Sequence, residues 1–353
     1  MLRSLLFVFA LCLGCTTASA ATVKDLYRGQ VDVASRSNQD RQLAIRDAMA
    51  QVLIRISGDK DILQHDASRS MVRQADQYLL SYSYRGAAQL QVDFDKDRIQ
   101  RQLQQAHLPV WGAQRPQTLV WLAAEDPSGE RGLVGENDEL GRALTDQAQI
   151  TGLPLTLPLL DLEDSMAMQL NDVWGNFPSP VLDASERYGA DFIVSGRLAQ
   201  FASEWQFMLL LYPPASTDGS YRAPRPLLRR SGSAATETEA LEAMLAELAK
   251  YYSQRYAAVA SDEAGHTQLV FELAGGIEQL VALERYLTSL TPVKAVQISQ
   301  VSGREVVLEL DLIGGINEVE QLMALDQRIS TLPVDDVLNE RARYRWQARS
   351  SRR

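Results

Sequence analysis

The densest run of residues able to do chemistry is Asp161-Leu162-Glu163-Asp164, with Asp172 and Trp174 shortly downstream. It follows an expected strand over Leu155 to Leu159, and α/β proteins place their sites beyond strand ends. Carboxylate oxygens are what hard cations take, so Asp161, Glu163 and Asp164 are the candidate metal ligands and a metal-assisted hydrolase the corresponding enzyme. The spacing is not that of an EF-hand loop, and no histidine accompanies the acids. One or two of them can equally cap the next helix, a purely structural use.

Other chemistry is thinly supplied. His65, His107 and His266 are far apart, outside any HExxH pattern, and no GxSxG elbow offers a serine nucleophile. Gly129, Gly132 and Gly135 are spaced GxxGxxG rather than as a nucleotide-binding loop, and Glu136, Asp138 and Glu139 would set negative charge where a phosphate must sit, so a flexible loop is expected. No cofactor is expected. With 35 basic against 45 acidic residues the net charge is −10, which opposes nucleic-acid binding.

The elements that must position these residues are legible from periodicity. A strand over Leu26 to Val33 precedes a helix capped by Ser37 or Asn38, whose stripe Ala44, Ile45, Ala48, Met49, Val52 and Ile56 ends at Gly58. A second helix is predicted from Ser68 to Leu80, a strand over Leu90 to Phe94, and a helix from Asp95 to Ala106. The pattern breaks at Pro109 to Pro116 and restarts with the apolar run Leu119 to Ala124, a strand covered on both faces. Helix Asp138 to Thr151, strand 155–159, a helix over Pro180 to Tyr188 and strand Phe192 to Leu198 follow. A hairpin over 204–212 and 226–232 then leads to the capping box Thr236 to Glu239 and its helix. Gly275 to Arg285 resembles Gly314 to Arg328, each copy leaving a strand and entering a helix. With strands at 267–273, 293–301, 305–313 and 338–347, this gives a ferredoxin-like βαββαβ order with Ser302-Gly303 as the central turn and the Gly-Gly pairs as permissive strand-to-helix turns.

The fold class is therefore multidomain α+β and α/β: a small N-terminal α+β domain over 21–115, a central α/β domain over 116–259 and a C-terminal ferredoxin-like domain over 260–353. Residues 1–20 read as a signal peptide, from Arg3, the apolar run Leu5 to Leu13 and the A-x-A site ending at Ala20, with Ala21 the first mature residue. Both cysteines, Cys12 and Cys15, lie in that leader, and loss of Arg3 would take the net charge from −10 to −11. Gly14-Cys15 also allows a lipoprotein reading, though Cys12 and Leu13 stand where a lipobox wants aliphatic and small residues. No later segment reaches the ~20 apolar residues of a membrane span. At the C-terminus Arg341, Arg343 and Arg345 alternate with Ala342, Tyr344 and Trp346, which fits a strand with one buried face. The same arginines, with Trp346, could instead form a basic hook for anionic lipid or an acidic partner.

Pro158 to Asp164, Asp172 to Gly175, Ala184 to Asp191 with Gly196 to Leu198, Ala48 to Gly58 and Ala75 to Tyr78 resemble the exported proteobacterial family known as domain of unknown function 2066. That resemblance implies a periplasmic setting in Gram-negative bacteria across nearly the whole mature chain, and no catalytic residue. Tyr188 to Arg197 with the following hairpin and helix is similar to the α/β domain of the envelope proteins TolB, CsgG and LpoB, which act through protein contacts. The expected function is a non-enzymatic periplasmic binding or envelope assembly factor whose partners are envelope proteins; the metal-assisted hydrolase and a lipid-anchored outer-membrane accessory are the alternatives.

Overall fold

The computed structural model describes residues 21–86, 88–126, 128–214, 224–260, 265–332 and 342–347. Strand β1 (Ala21–Thr22) is followed by β2 (Arg28–Asp32) and helix α1 (Asn38–Ser57), whose stripe is buried as the periodicity predicts. Ser37 caps α1 by accepting from the Asp40 amide, and Gly58 ends it at φ +73°, where a Cβ would also lie 2.4 Å from that of Ser253. The expected second helix is shorter, α2 (Asp66–Arg73); a 3₁₀ turn at Ala75–Tyr78 leads into β3 (Leu79–Arg85), an edge strand that sequence periodicity misses. Most of β3 is solvent-exposed, so it carries no apolar alternation. With β4 (Gln89–Phe94) it completes the sheet β2-β4-β3, and Asp95 caps α3 (Lys96–Gln105) by accepting from Arg98 N.

Strand β5 (Gln114–Arg115) pairs with β1, and β6 (Thr118–Glu125) opens the central sheet. Its neighbours are β7 (Arg131–Leu133), the two-residue β8 (Leu155–Thr156), and β9 (Phe192–Phe201), which runs parallel to it. Helices α4 (Glu139–Thr151), α5 (Leu162–Ala167), α6 (Leu170–Trp174) and α7 (Pro178–Ser185) connect them. Strands β10 (Glu204–Tyr212) and β11 (Leu228–Ala234) extend the sheet as the expected hairpin, giving β11-β10-β9-β6-β7. The Thr236–Glu239 capping box then opens α8 (Glu237–Tyr256). Alternate residues of β6 face opposite layers, Val120 and Leu122 toward the α4 and α8 core, Leu119 and Trp121 toward α6 and α7. Gly132 lies within β7 rather than in a flexible loop: the segment folds back as a hairpin in which Asp126 accepts from Ser128 and Glu130.

The C-terminal domain contains β12 (His266–Leu273), α9 (Ile277–Ser289), β13 (Val293–Ser302), β14 (Glu305–Leu312), α10 (Ile316–Ala324), β15 (Ile329–Leu332) and β16 (Arg343–Trp346). The internal repeat maps onto α9 and α10, as a ferredoxin-like order requires. One departure is clear in the sheet order β13-β14-β12-β16-β15. The strand after α10 is β15, which sequence periodicity misses. The last strand, β16, inserts between it and β12, parallel to β12 and antiparallel to β15. The central hairpin turn is Gly303-Arg304, since Ser302 already pairs with Glu305. Neither Gly-Gly pair uses a left-handed backbone; Gly314 is small because a Cβ there would meet the Val259 carbonyl at 3.2 Å.

One apolar core runs from the α4 and α8 face of the central sheet into the helix face of the C-terminal sheet, through Tyr252, Tyr256, Leu287, Leu322 and Trp346. The N-terminal domain joins it at a polar seam. Arg115, fully buried, stacks on Trp111 and donates to the carbonyls of Gly112, Gly152, Arg55 and Trp111 at 2.9 to 3.1 Å, with Thr151 at 3.4 Å.

Candidate functional site

The acidic cluster folds into a brace. Leu160 takes a left-handed backbone at φ +52°, and Asp161 then caps the short helix α5 by accepting from Asp164 N at 3.0 Å. Asp164, only 2% exposed, accepts from Leu160 N at 2.8 Å, the Tyr188 hydroxyl at 2.7 Å and Arg187 Nη1 at 3.1 Å. Arg187 also grips both oxygens of Asp161, at 2.8 and 3.0 Å, and lies 3.6 Å from Glu163. The hydrogen bonds from Arg187 hold the Asp161 carboxyl down at about 2 and push the guanidinium further up. Burial, with the bond to Asp164, raises the Tyr188 phenol to about 12, so it stays a neutral donor.

In this geometry the carboxylates of Asp161 and Asp164, two of the three candidate metal ligands with Glu163, are engaged by protein donors. Their oxygens point at one guanidinium, one phenol and backbone amides, and among the described residues no group of three or more His, Cys, Asp or Glu could hold a metal ion. Asp172 accepts from Gln169 N in the next helix start, and Trp174 lies under the Arg131 guanidinium at 4.1 Å. The three histidines stay apart: His65 precedes α2, His107 contacts the Ala260 carbonyl and His266 pairs with Asp311 at 2.6 Å.

What the brace holds outward is apolar. On α5, Leu162 and Met166 stand one turn apart and are 76% and 80% exposed, with Leu159 just before them 59% exposed. Asp161 and Glu163 share the same open surface. Leu162 and Met166, two large apolar side chains presented together with an acidic rim, form the kind of patch that marks an interaction site, and Leu159 adds exposed apolar surface just before it in the chain. The apolar pair Leu162 and Met166 at helical spacing was the available sequence signal.

The C-terminal arginines divide by face. Tyr344 and Trp346 enter the core, while Arg343 meets Glu305 at 2.6 Å and Arg345 meets Glu272 at 3.1 Å. Two of the three arginines of the expected basic hook are thus matched by acids across the strands; Arg341, like Ala20 and the leader, lies outside the described residues. Ala21 pairs with Arg115.

The described architecture is that of a multidomain α+β protein built on three main sheets and a two-stranded ribbon. Residues 267–339 match the DUF2066 model, which supports the resemblance to that family over the C-terminal domain. Residues 20–112 match a second model, domain of unknown function DUF8605, and the central segments that carry the family resemblance lie between the two matches. No curated protein and no solved structure matches the chain. No helix among the described residues is long and apolar enough to cross a membrane.

Proposed function

We propose that this chain is an exported envelope protein without enzymatic activity, a binding or assembly factor that docks a partner protein on the ridge formed by Leu159, Leu162 and Met166. The exposure of that ridge carries the reading. The brace beneath it fixes α5 before any partner arrives, so little ordering cost falls on association. Glu163 at its rim, 69% exposed, fits a partner whose apolar contact surface is bordered by lysine or arginine. Export follows from the leader, with Ala21 as the mature N-terminus.

Mild crosslinking in the native host, followed by purification of the tagged protein and mass spectrometry, tests both parts. One dominant envelope partner is expected, lost in a Leu162→Ser, Met166→Ser variant whose circular dichroism is unchanged. Recovery of the same partner with that variant, or of the chain alone, would contradict the docking role. The intact mass should start at Ala21 in the periplasmic fraction; a lipid-modified Cys15 would make it an outer-membrane accessory instead, and an unprocessed cytoplasmic chain would end the envelope reading.

A further inference from the structure

The seam between the N-terminal and central domains opens into a cleft of about 700 Å³, a size typical of small-ligand sites. Its walls come from the start of the mature chain, α1, the β3–β4 hairpin and the end of α4. In a chain of net charge −10 the lining is biased the other way. Lys24, Arg28, Arg55 and Arg85 face Asp25 and Asp146. Arg28 is matched by Asp25 at 2.8 Å and by Asp93 at 2.7 Å. Lys24 and Arg85 are exposed and form no ion pair among the described residues.

Arg55 is the unusual member. The residue is 7% exposed, and its guanidinium donates to three backbone carbonyls, those of Ile150 and Arg28 at 2.7 Å and Asp25 at 3.3 Å. Arg115 behind it is likewise held by carbonyls. Neither makes an ion pair with a carboxylate among the described residues. Burial lowers Arg55 to about 10 against the opposing pull of the Asp25 charge, and burial together with the Arg55 charge lowers Arg115 to about 9. Buried cations are ordinarily matched by an anion, and dipoles alone leave much of the field unspent. Arg55 lines the cleft, with Arg115 buried behind it, and Gln89 and Gln149 add carboxamides able to bond hydroxyl groups.

We infer that this cleft binds a small oxyanion carried on a hydroxylated scaffold, a phosphate or carboxylate on a sugar. The site is independent of the α5 ridge, and its ligand supplies the ion-pair partner that neither Arg55 nor Arg115 has among the described residues. Calorimetric titration of the purified mature chain with glucose 6-phosphate, glucuronate, glucose and inorganic phosphate tests it. The phosphate arm and the uronate arm distinguish the two sources of the anion. At least one of the two anionic sugars should bind, glucose should give no heat, and inorganic phosphate should bind more weakly. Replacing Lys24 and Arg85 together by Gln should weaken the anionic sugar by roughly tenfold or more, as loss of a charge-assisted contact does. Asp146→Asn should tighten it severalfold, a change that damage to the fold cannot imitate. Three results would overturn the inference: no heat from either anionic sugar up to about 10 mM, a range weaker than any useful site; equal binding of inorganic phosphate; or affinity unmoved by all these variants. Because the readout is a purified-protein titration, its failure leaves the partner-docking reading untouched, and failure of that reading leaves this one standing.

Discussion

Removing the Asp164 carboxylate should separate a brace from a metal site. Asp164 is 2% exposed and accepts three hydrogen bonds, from Leu160 N, Tyr188 Oη and Arg187 Nη1. Bonds to a charged acceptor contribute roughly 1.5–3 kcal/mol each but do not add, and breaking a buried charged network costs about 3–5 kcal/mol. The Leu160 amide is also held at positive φ by this carboxylate, so its loss releases a locally strained turn. Asp164→Ala should therefore lose about 3–5 kcal/mol, and Asp164→Asn about 2 kcal/mol because the amide oxygen can still accept from Leu160 or Tyr188. Asp161→Ala removes an exposed cap and ion pair and should cost less, while Glu163→Ala, 69% exposed, should change nothing measurable. Urea unfolding followed by circular dichroism gives the ranking, and hydrogen exchange should place the damage within 157–188. Since the Asp161 carboxyl is depressed to about 2, its contribution is complete above about pH 4 and fades as the pH falls toward 2. Equal losses in all three alanine variants, together with destabilisation of the parent by EDTA, would refute the brace and favour the metal reading.

Three further outcomes follow from buried charge and packing. Arg115→Met should destabilise by at least about 3 kcal/mol in urea unfolding, since several seam carbonyls lose their donor at once; a neutral result would mean that the seam does not depend on it. Asp191 is pushed up to about 6, mainly by burial and further by Asp326, against the lowering bond from Gln117 N at 2.7 Å. A raised carboxyl disfavours the ionised folded state, so stability should fall as the pH rises from about 4 to 6, and Asp191→Asn should be more stable than the parent at pH 8 by about 2–3 kcal/mol in thermal unfolding. Trp346→Ala should cost about 3–5 kcal/mol while Arg345→Gln, from a half-exposed pair, costs under about 1 kcal/mol; the reverse order would place the function of the last strand in its charges.

Elements whose periodicity is enforced by burial were legible in the sequence. The α1 stripe, the two-sided run of β6, the Thr236–Glu239 capping box and the duplicated entry into α9 and α10 all stand where the residues place them. What escaped has a physical reason in each case. The edge strand β3 is mostly exposed, and β15 is four residues long, so neither repeats often enough to show a period. The insertion of β16 beside β12 is a long-range pairing decision, invisible in the local alternation that identified Arg343 to Trp346 as a strand. The site was half legible. Asp161 as a cap is a local signal, but the gathering of its neighbours around Arg187 depends on a contact 26 residues away. Likewise, that Arg55 and Arg115 share a seam with no acid between them depends on how two domains meet.

The most direct test of the central claim is site-specific photocrosslinking in the native host, with the photoreactive residue placed at Met166 in one strain and at Arg229 on the edge strand β11 in another. The docking account expects one discrete crosslinked envelope partner from position 166 and none from position 229. Identical patterns from the two positions, or no crosslink at 166, would contradict it.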